Sequence, residues 1–249
     1  MAIEAGSSTY YQAKRGIPSD NLVFYIDPSI KDSYRNIGDD KIYSLVNPSH
    51  YMNVNTNMDF KRGRQNSGLE HTVNNVSGAM WTSSASSYGM SMDDCTYIFY
   101  EKCKRGLNGA YGSFDDWIFQ AGSYYGNNSF GFGLYGWSLS LFAKASQGGG
   151  WTWSSSNSSA ATFYNNNRNN WVFYVVRFDG NNSFKVYFNN GLYFNAANIT
   201  YPFTGIHSNV VRLGRYVQPT IGLFAVYDTA LSDDKISDFY NATRHRFGV

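Results

Sequence analysis

Carboxylates are the first residues to weigh for chemistry, and here they are sparse and poorly paired. Glutamate occurs only at Glu4, Glu70 and Glu101, and the paired acids Asp93-Asp94, Asp115-Asp116 and Asp233-Asp234 are immediate neighbours. Retaining glycoside hydrolysis needs two carboxyl groups about 5–5.5 Å apart on one side of the sugar, whereas adjacent residues of a strand point to opposite faces. His50, His71, His207 and His245 stand alone, without the short spacings of a metal site. No nucleophile elbow, phosphate-binding loop or dinucleotide fingerprint is present. Cys95 and Cys103, if they lie on one extended strand, are about 26 Å apart at 3.3 Å per residue, out of bridging range. Only a turn between them would bring them together. The expectation is a protein without catalysis, resident metal or cofactor, carrying two free thiols.

What the sequence offers instead is surface for recognition. Aromatic residues make up 18% of the chain, with 21 Tyr, 18 Phe and 6 Trp. Exposed Trp and Tyr rings give sugars an apolar plane to stack on while keeping a polar handle, and Asn and Asp add directional hydrogen bonds. Tyr124-Tyr125, among Gly and Asn, and Trp151 with Trp153, just after Gly148-Gly149-Gly150, form a candidate glycan platform. The alternative for Trp151 and Trp153 is a shared strand face packed into the core or against a neighbouring subunit. Lys14 and Arg15 sit in a polar N-terminal stretch and are candidate partner-docking charges.

These residues must be positioned by β structure. Helix-forming Glu is scarce, while 26 Asn and 24 Gly supply turns and the aromatics favour strands. The 249 residues show no linker or composition break, and the five prolines are scattered, so residues 21–249 read as one sandwich domain behind an arm, residues 1–20. A net charge of +2 is too small for a general grip on nucleic acid. The basic clusters at Lys61 to Arg64 and Lys102 to Arg105 read as solvated loops, with a phosphate or capsid-surface contact as the alternative. No run approaches the roughly 20 apolar residues of a membrane helix. Met1 to Tyr11 lacks the regions of a secretory signal, so synthesis in a reducing host cytoplasm is expected.

Strands are expected at Leu22 to Ile26, stopped by Asp27-Pro28, and at 69–73, 78–82, 95–101, 116–121, 130–135 and 137–143. Residues 27–68 read as loop apart from a short apolar piece at Ile42 to Val46, and Ser154 to Ser159 read as loop. Trp171 to Val176 is apolar on both alternating faces, which predicts a strand buried on both sides. Asp179-Gly180 turns the chain into Phe184 to Phe188, and Asn190-Gly191 predicts a second tight turn. Val210 to Leu213 and Ile221 to Tyr227 follow. A helix over 232–246 is predicted from Ser232 as cap, Asp233 and Asp234 in the first turn, Ile236, Phe239, Tyr240 and Thr243 at helical spacing, and Gly248 as stop. Its apolar face is expected to seal one edge or end of the sandwich.

The hairpin Trp171 to Gly180 and Val186 to Gly191, the strand Val211-Arg212-Leu213-Gly214 and the closing Ile221 to Tyr227 with Ala230-Leu231-Ser232-Asp233-Asp234-Lys235-Ile236 together resemble laminin-G-like, concanavalin A-like jelly rolls. The ending Tyr240 to Val249 and the opening Leu22 to Asp27 resemble bacteriophage members of that group. The resemblance implies an all-β jelly-roll β-sandwich with one short C-terminal helix. It covers the last 80 or so residues and the first strand in detail. The acidic residue common in the family's closing strand is replaced by Gly222 and Leu223, so no calcium site is carried over; Asp27, Asp179 and Asp228 fall at strand ends, where turn and cap roles are expected. Related jelly rolls include glucanases with an E-x-D-x-x-E run, which is lacking here. The resemblance therefore implies a non-enzymatic structural protein on the virion surface, a multi-copy decoration of head or tail that partners other virion proteins. The alternative is a carbohydrate-binding module of a tail fibre that attaches to host surface glycans.

Overall fold

The computed structural model describes residues 16–34, 40–56, 58–61, 68–71, 79–103, 116–122, 129–135, 138–144, 153–156, 158–180, 182–197, 205–215 and 219–249. In chain order the first strands are Leu22–Ile26 (β1), Lys41–Tyr43 (β2), Tyr51–Val54 (β3), Met58–Lys61 (β4), Gly68–His71 (β5) and Met80–Thr82 (β6). Cys95–Cys103 (β7), Asp116–Ala121 (β8), Ser129–Tyr135 (β9), Ser138–Lys144 (β10) and Trp153–Ser156 (β11) lead into a helix, Ser158–Asn166 (α1). Trp171–Phe178 (β12), Phe184–Phe188 (β13), Gly191–Ala196 (β14), Val211–Arg215 (β15) and Pro219–Tyr227 (β16) precede the last helix, Asp233–Thr243 (α2).

The strands form two antiparallel sheets of eight. One runs β14-β13-β12-β7-β16-β5-β4, with β1 also paired to β16; the other runs β11-β10-β9-β8-β15-β6-β3-β2. This is the all-β sandwich expected from composition and strand pattern. Between the sheets lies an aromatic interior in which Phe99, Phe119, Phe130, Tyr174, Phe178 and Phe224 are fully or almost fully buried. Rings there meet stacked or edge-on, Phe99 with Tyr174 at 5.1 Å and Phe130 with Phe184 at 4.9 Å. These are the separations at which aromatic pairs gain beyond simple area burial.

The first sheet is buried on its outer face too. Every residue of β12 is buried: Val172, Tyr174, Val176 and Phe178 face the interior, while Trp171, Phe173 and Val175 belong to a second apolar cluster with Tyr100, Leu223, Ala225 and Tyr227. The C-terminal segment covers that cluster. Helix α2 lays Phe239 6.1 Å from the Phe173 ring, and Phe247 stacks on Tyr100 at 4.0 Å and meets Trp171 edge-on at 5.0 Å. The helix thus lies flat on the sheet and does not plug an edge or end as its sequence suggests; the doubly apolar β12 and β7 leave a whole face to cover. Ser232 caps α2 by accepting from the Lys235 amide, and Gly248 takes the left-handed φ of 71° that ends the segment.

The departure at Gly222 has a physical reason. A Cβ there would stand 2.3 Å from Cε1 of Phe247, so a side chain at this point of the closing strand would evict the ring that seals the sheet.

Two ion pairs pin the covering segment. At its start Arg177 Nε contacts Asp179 at 2.7 Å, while Arg177 Nη1 binds Asp233, which also accepts from the Tyr187 hydroxyl at 2.9 Å. At its end Arg246 Nη2 lies 2.9 Å from Asp27, a fully buried carboxylate that also accepts from the Ser29 amide. Asp27 and Asp179 thus add ion pairs to their turn positions. Asp228 is exposed, and its amide donates to the Asn21 carbonyl.

Three local features differ from the sequence reading. The stretch before residue 68 contains β2, β3 and β4, strands of three or four residues whose pattern is too short to stand out. Residues 153–166, read as loop over their serines, form β11 and α1; Phe163 of α1 stacks on Phe188 at 5.7 Å and Tyr164 is buried. The second hairpin turns one residue early, with positive φ at Asn189 (45°) and Asn190 (67°) while Gly191 already pairs with Phe188. Asn tolerates that conformation, and Asn189 Oδ1 accepts from the Phe173 amide at 2.9 Å.

Residues 1–15 of the expected arm lie outside the described residues. Of its remainder, Ile17 is buried in the cluster under α2, and the Pro18 carbonyl accepts from the Tyr227 hydroxyl at 2.8 Å.

Truncating Phe239, fully buried, is expected to cost about 3–5 kcal/mol. Thermal denaturation of Phe239→Ala should therefore show a fall of many degrees; a shift within error would mean that α2 contributes little to the fold.

Candidate functional site

The second sheet is asymmetric where the first is not. Its inner residues Ile42, Met52, Met80, Val211, Leu213 and Phe119 are fully buried, while their neighbours in sequence point outward. Strand register lines these neighbours up: Lys41 pairs with Asn53, Asn53 with Trp81, Trp81 with Arg212, and Arg212 with Gln120. The result is a row of five residues across β2, β3, β6, β15 and β8. A second pair, Tyr43 and Tyr51, lies beside it with ring centroids 6.1 Å apart.

Local contacts hold the row in shape. The Lys41 ammonium sits over the Tyr51 ring at 4.3 Å, a cation–π distance. Asn53 Nδ2 donates to the Trp81 carbonyl at 3.4 Å, and Arg212 Nη1 donates to Gln120 Oε1 at 3.3 Å. Lys41, Tyr43, Tyr51, Asn53, Trp81 and Arg212 are each half-buried, but Gln120 is only 2% exposed. Beyond it the face is closed: Trp117 is 3% exposed, its ring lying over Gly131, where a Cβ would meet Cε3 at 2.7 Å. Half-exposed aromatics, an amide, a guanidinium and an ammonium thus share one outward surface of paired strands. Stacking and directional hydrogen bonding are available there; among its described side chains there is neither a nucleophile nor a carboxyl pair.

The residues singled out by sequence fall elsewhere. Tyr124, Tyr125 and Trp151 lie outside the described residues, as do Lys14 and Arg15. Trp153 opens β11 and pairs with Ala143 of β10, at the far end of the sheet from β2. The row escapes a reading of the sequence because its members are scattered over the chain; the local signals are the expected strands at 78–82, 116–121 and 210–213, which carry Trp81, Gln120 and Arg212. Among the described residues no three His, Cys, Asp or Glu side chains come together in a cluster able to hold a metal ion, and no helix is long and apolar enough to cross a membrane.

No family model and no curated protein matches the sequence. Solved structures match the fold. The binding domain of Paraclostridial Mosquitocidal Protein 1 superposes with a TM-score of 0.65 at 16% identity, over 90% of this chain and 52% of that one. The binding domain of botulinum neurotoxin DC in complex with SialylT gives 0.63 at 10% identity, over 90% and 52%. Trypanosoma rangeli sialidase in complex with sialic acid gives 0.63 at 12% identity, over 96% and 38%. At such identities the likeness is one of fold. The chain spans about half the length of the toxin binding domains and under two fifths of the sialidase. These neighbours agree with an all-β sandwich and lend no support to the virion setting implied by the closing segment.

Several titratable groups away from this face are shifted from their usual values. The Cys95 thiol is buried and pushed up to about 12 by that burial, which removes it as a nucleophile at neutral pH. It and Cys103 stand at opposite ends of β7. His50 stacks on Tyr88 at 4.3 Å, and burial lowers its basicity. Burial also opposes charge on Asp233, but the Tyr187 hydroxyl and Arg177 outweigh it and hold that carboxyl below its usual range.

Glu101 is the exception among the acids. It is fully buried on β7 between Val172 and Ile221, neither carboxyl oxygen has a hydrogen-bond partner, and burial alone raises its pKa well above the ordinary 4.5. Between the unfolded pKa and the raised folded one, the folded state holds a proton that the unfolded chain has released. Stability is therefore present in full at low pH and declines as pH rises through that window. Glu101→Gln should flatten this decline and raise the melting temperature at neutral pH, checked by denaturation at a series of pH values. An unchanged pH slope would refute the assignment of the decline to Glu101.

Proposed function

We propose that this protein is a carbohydrate-binding module whose ligand lies across the outward face of β2, β3, β6, β15 and β8, stacked on Trp81. The reading rests on one observation: a cross-strand row Lys41–Asn53–Trp81–Arg212–Gln120 on the sheet that helix α2 does not cover. A half-exposed indole supplies a plane for a sugar ring, and the flanking amide and guanidinium supply hydrogen bonds that orient its hydroxyls. The sandwich neighbours whose structures hold sialic acid or SialylT support this reading at the level of fold. The reading is one of binding, for which the stacking plane and hydrogen-bonding groups of this face are the support. On a bacteriophage tail fibre, the alternative to a virion decoration under the resemblance of the closing segment, the same face would serve host attachment.

Glycan-array screening followed by calorimetry tests the reading. Truncating a central Trp of such a surface typically costs about 2 kcal/mol, roughly 30-fold in Kd. Trp81→Ala should therefore abolish or strongly weaken binding of any glycan the protein retains, while its melting temperature stays close to that of the native chain because the ring points outward. Full binding by Trp81→Ala would overturn the proposal.

A further inference from the structure

The reach of this face narrows the class of ligand, a step that rests on the platform reading above. Trp81 marks one aromatic position on it. Another is the pair Tyr43 and Tyr51, half-buried with ring centroids 6.1 Å apart. Strand geometry separates the two positions. Tyr51 and Asn53 share a face of β3 two residues apart, and Asn53 is directly opposite Trp81 on the neighbouring strand. At roughly 3.4 Å per residue and 4.8 Å per strand, the backbone at Tyr51 stands about 8 Å from that at Trp81, and at Tyr43 about 12 Å. One sugar ring does not cover both.

The ground between them is suited to hydrogen bonding. Asn53 Nδ2 donates to the Trp81 carbonyl at 3.4 Å, which ties the amide toward β6 and leaves Oδ1 as an acceptor. Lys41, directly opposite Asn53 on β2, lays its ammonium over the Tyr51 ring at 4.3 Å. An aromatic face attracts that charge without taking its N–H donors into conventional hydrogen bonds. The ammonium is thus held at Tyr51 with donors to offer a hydroxyl. In the opposite direction the row runs into Gln120 and Trp117, 2% and 3% exposed, whereas toward β2 it continues to the end of the sheet. A ligand that extends beyond Trp81 therefore finds its further contacts over β3 and β2.

We infer that the ligand is a linear oligosaccharide bound at two linked subsites. One sugar stacks on Trp81; a later sugar of the same chain is held by the Lys41 ammonium and the Tyr43–Tyr51 pair, with Asn53 bonding the stretch between. Recognition is of a length of chain and not of a single terminal sugar. The two subsites act together, since a chain anchored on Trp81 presents its next sugars to the second subsite at high effective concentration.

The test is calorimetric titration with chains of one to six units in three series: cello-oligosaccharides, chito-oligosaccharides and α2,8-linked sialic acids. In at least one series affinity should rise by about tenfold or more between the shortest chain that binds and the hexamer. Tyr51→Ala should bring the hexamer down to the level of the short chain while leaving short-chain binding within about twofold of the native value. A general loss of folding would not produce that split. Lys41→Met, which keeps the stem and removes the ammonium, should weaken the hexamer by about threefold and keeps the test open should Tyr51→Ala fold poorly. Trp81→Ala should weaken chains of every length. Equal affinity at all lengths, removed by Trp81→Ala, would overturn the second subsite while leaving the platform standing. A length dependence untouched by both Tyr51→Ala and Lys41→Met would overturn it as well. Absence of binding in all three series would overturn the inference and the platform reading together.

Discussion

Phe247 stacked on Tyr100 and Phe239 laid along Phe173 take one face of one sheet out of water, and the rest of the molecule is arranged around that closure. Strand β12 carries apolar side chains on both faces; left open, its outer side would join Tyr100, Leu223 and Tyr227 in an apolar patch of the kind that drives association. The last seventeen residues, 233–249, answer this by crossing the sheet. They must be held at both ends to do so. Arg177 fastens the start through Asp233, and Arg246 fastens the finish through the buried Asp27, so the buried charges of Arg177 and Asp27 are paired where an unpaired charge would be costly. Gly222 belongs to the same device, since only a residue without a Cβ admits the Phe247 ring.

Covering one sheet decides which surface is left for recognition. With the outer face of β12, β7 and β16 spent on the C-terminal segment, the outer face of the second sheet shows, among the described residues, half-exposed aromatic and cationic side chains in cross-strand register. There the alternation is of the one-face-wet kind usual for antiparallel sheets: inner residues fully buried, outer ones half-exposed. A face built on paired strands is more rigid than a loop, and its side chains are already positioned by Tyr51, Gln120 and the strand backbones before any ligand arrives. Such preorganisation reduces the ordering cost of binding.

How much of this was legible in the sequence depended on whether the signal was local. The β12–β13 hairpin is local, and its double-sided apolar pattern, its Asp-Gly turn and its burial on both faces were all readable from Trp171 to Phe188. So was α2, because a Ser cap, two Asp in the first turn and an apolar 3–4 spacing are contained within a dozen residues. Strands β2, β3 and β4 were not, since three or four residues are too few for period-two alternation to rise above loop composition; they exist because long-range pairing stabilises them. Helix α1 was obscured by its serines, and what fixes it is the tertiary contact of Phe163 with Phe188 and Tyr193. The Asn189-Asn190 turn was displaced by one residue because two adjacent residues tolerant of positive φ preceded the glycine, and a hydrogen bond to Phe173 selected between the two placements.

The recognition row was the least legible element, and its cause is also what makes it robust. Lys41, Asn53, Trp81, Arg212 and Gln120 come from separated segments and meet only through strand order, so no window of sequence contains two of them as neighbours on one face. Each, however, is bonded along the chain to a residue with no exposed surface: Ile42, Met52, Met80, Val211 or Leu213, and Phe119. The side-chain period of a strand is two, so a slip of one residue in any of these strands would bring a polar row residue into the core and turn a buried one out. The hydrophobic interior therefore sets the register of every strand independently, and the row is the outward image of five separate burial choices. Its alignment needs no contact between its own members to be specified. That leaves those side chains free of any part in specifying the register, and it explains how a cross-strand row can be assembled from residues that carry no motif.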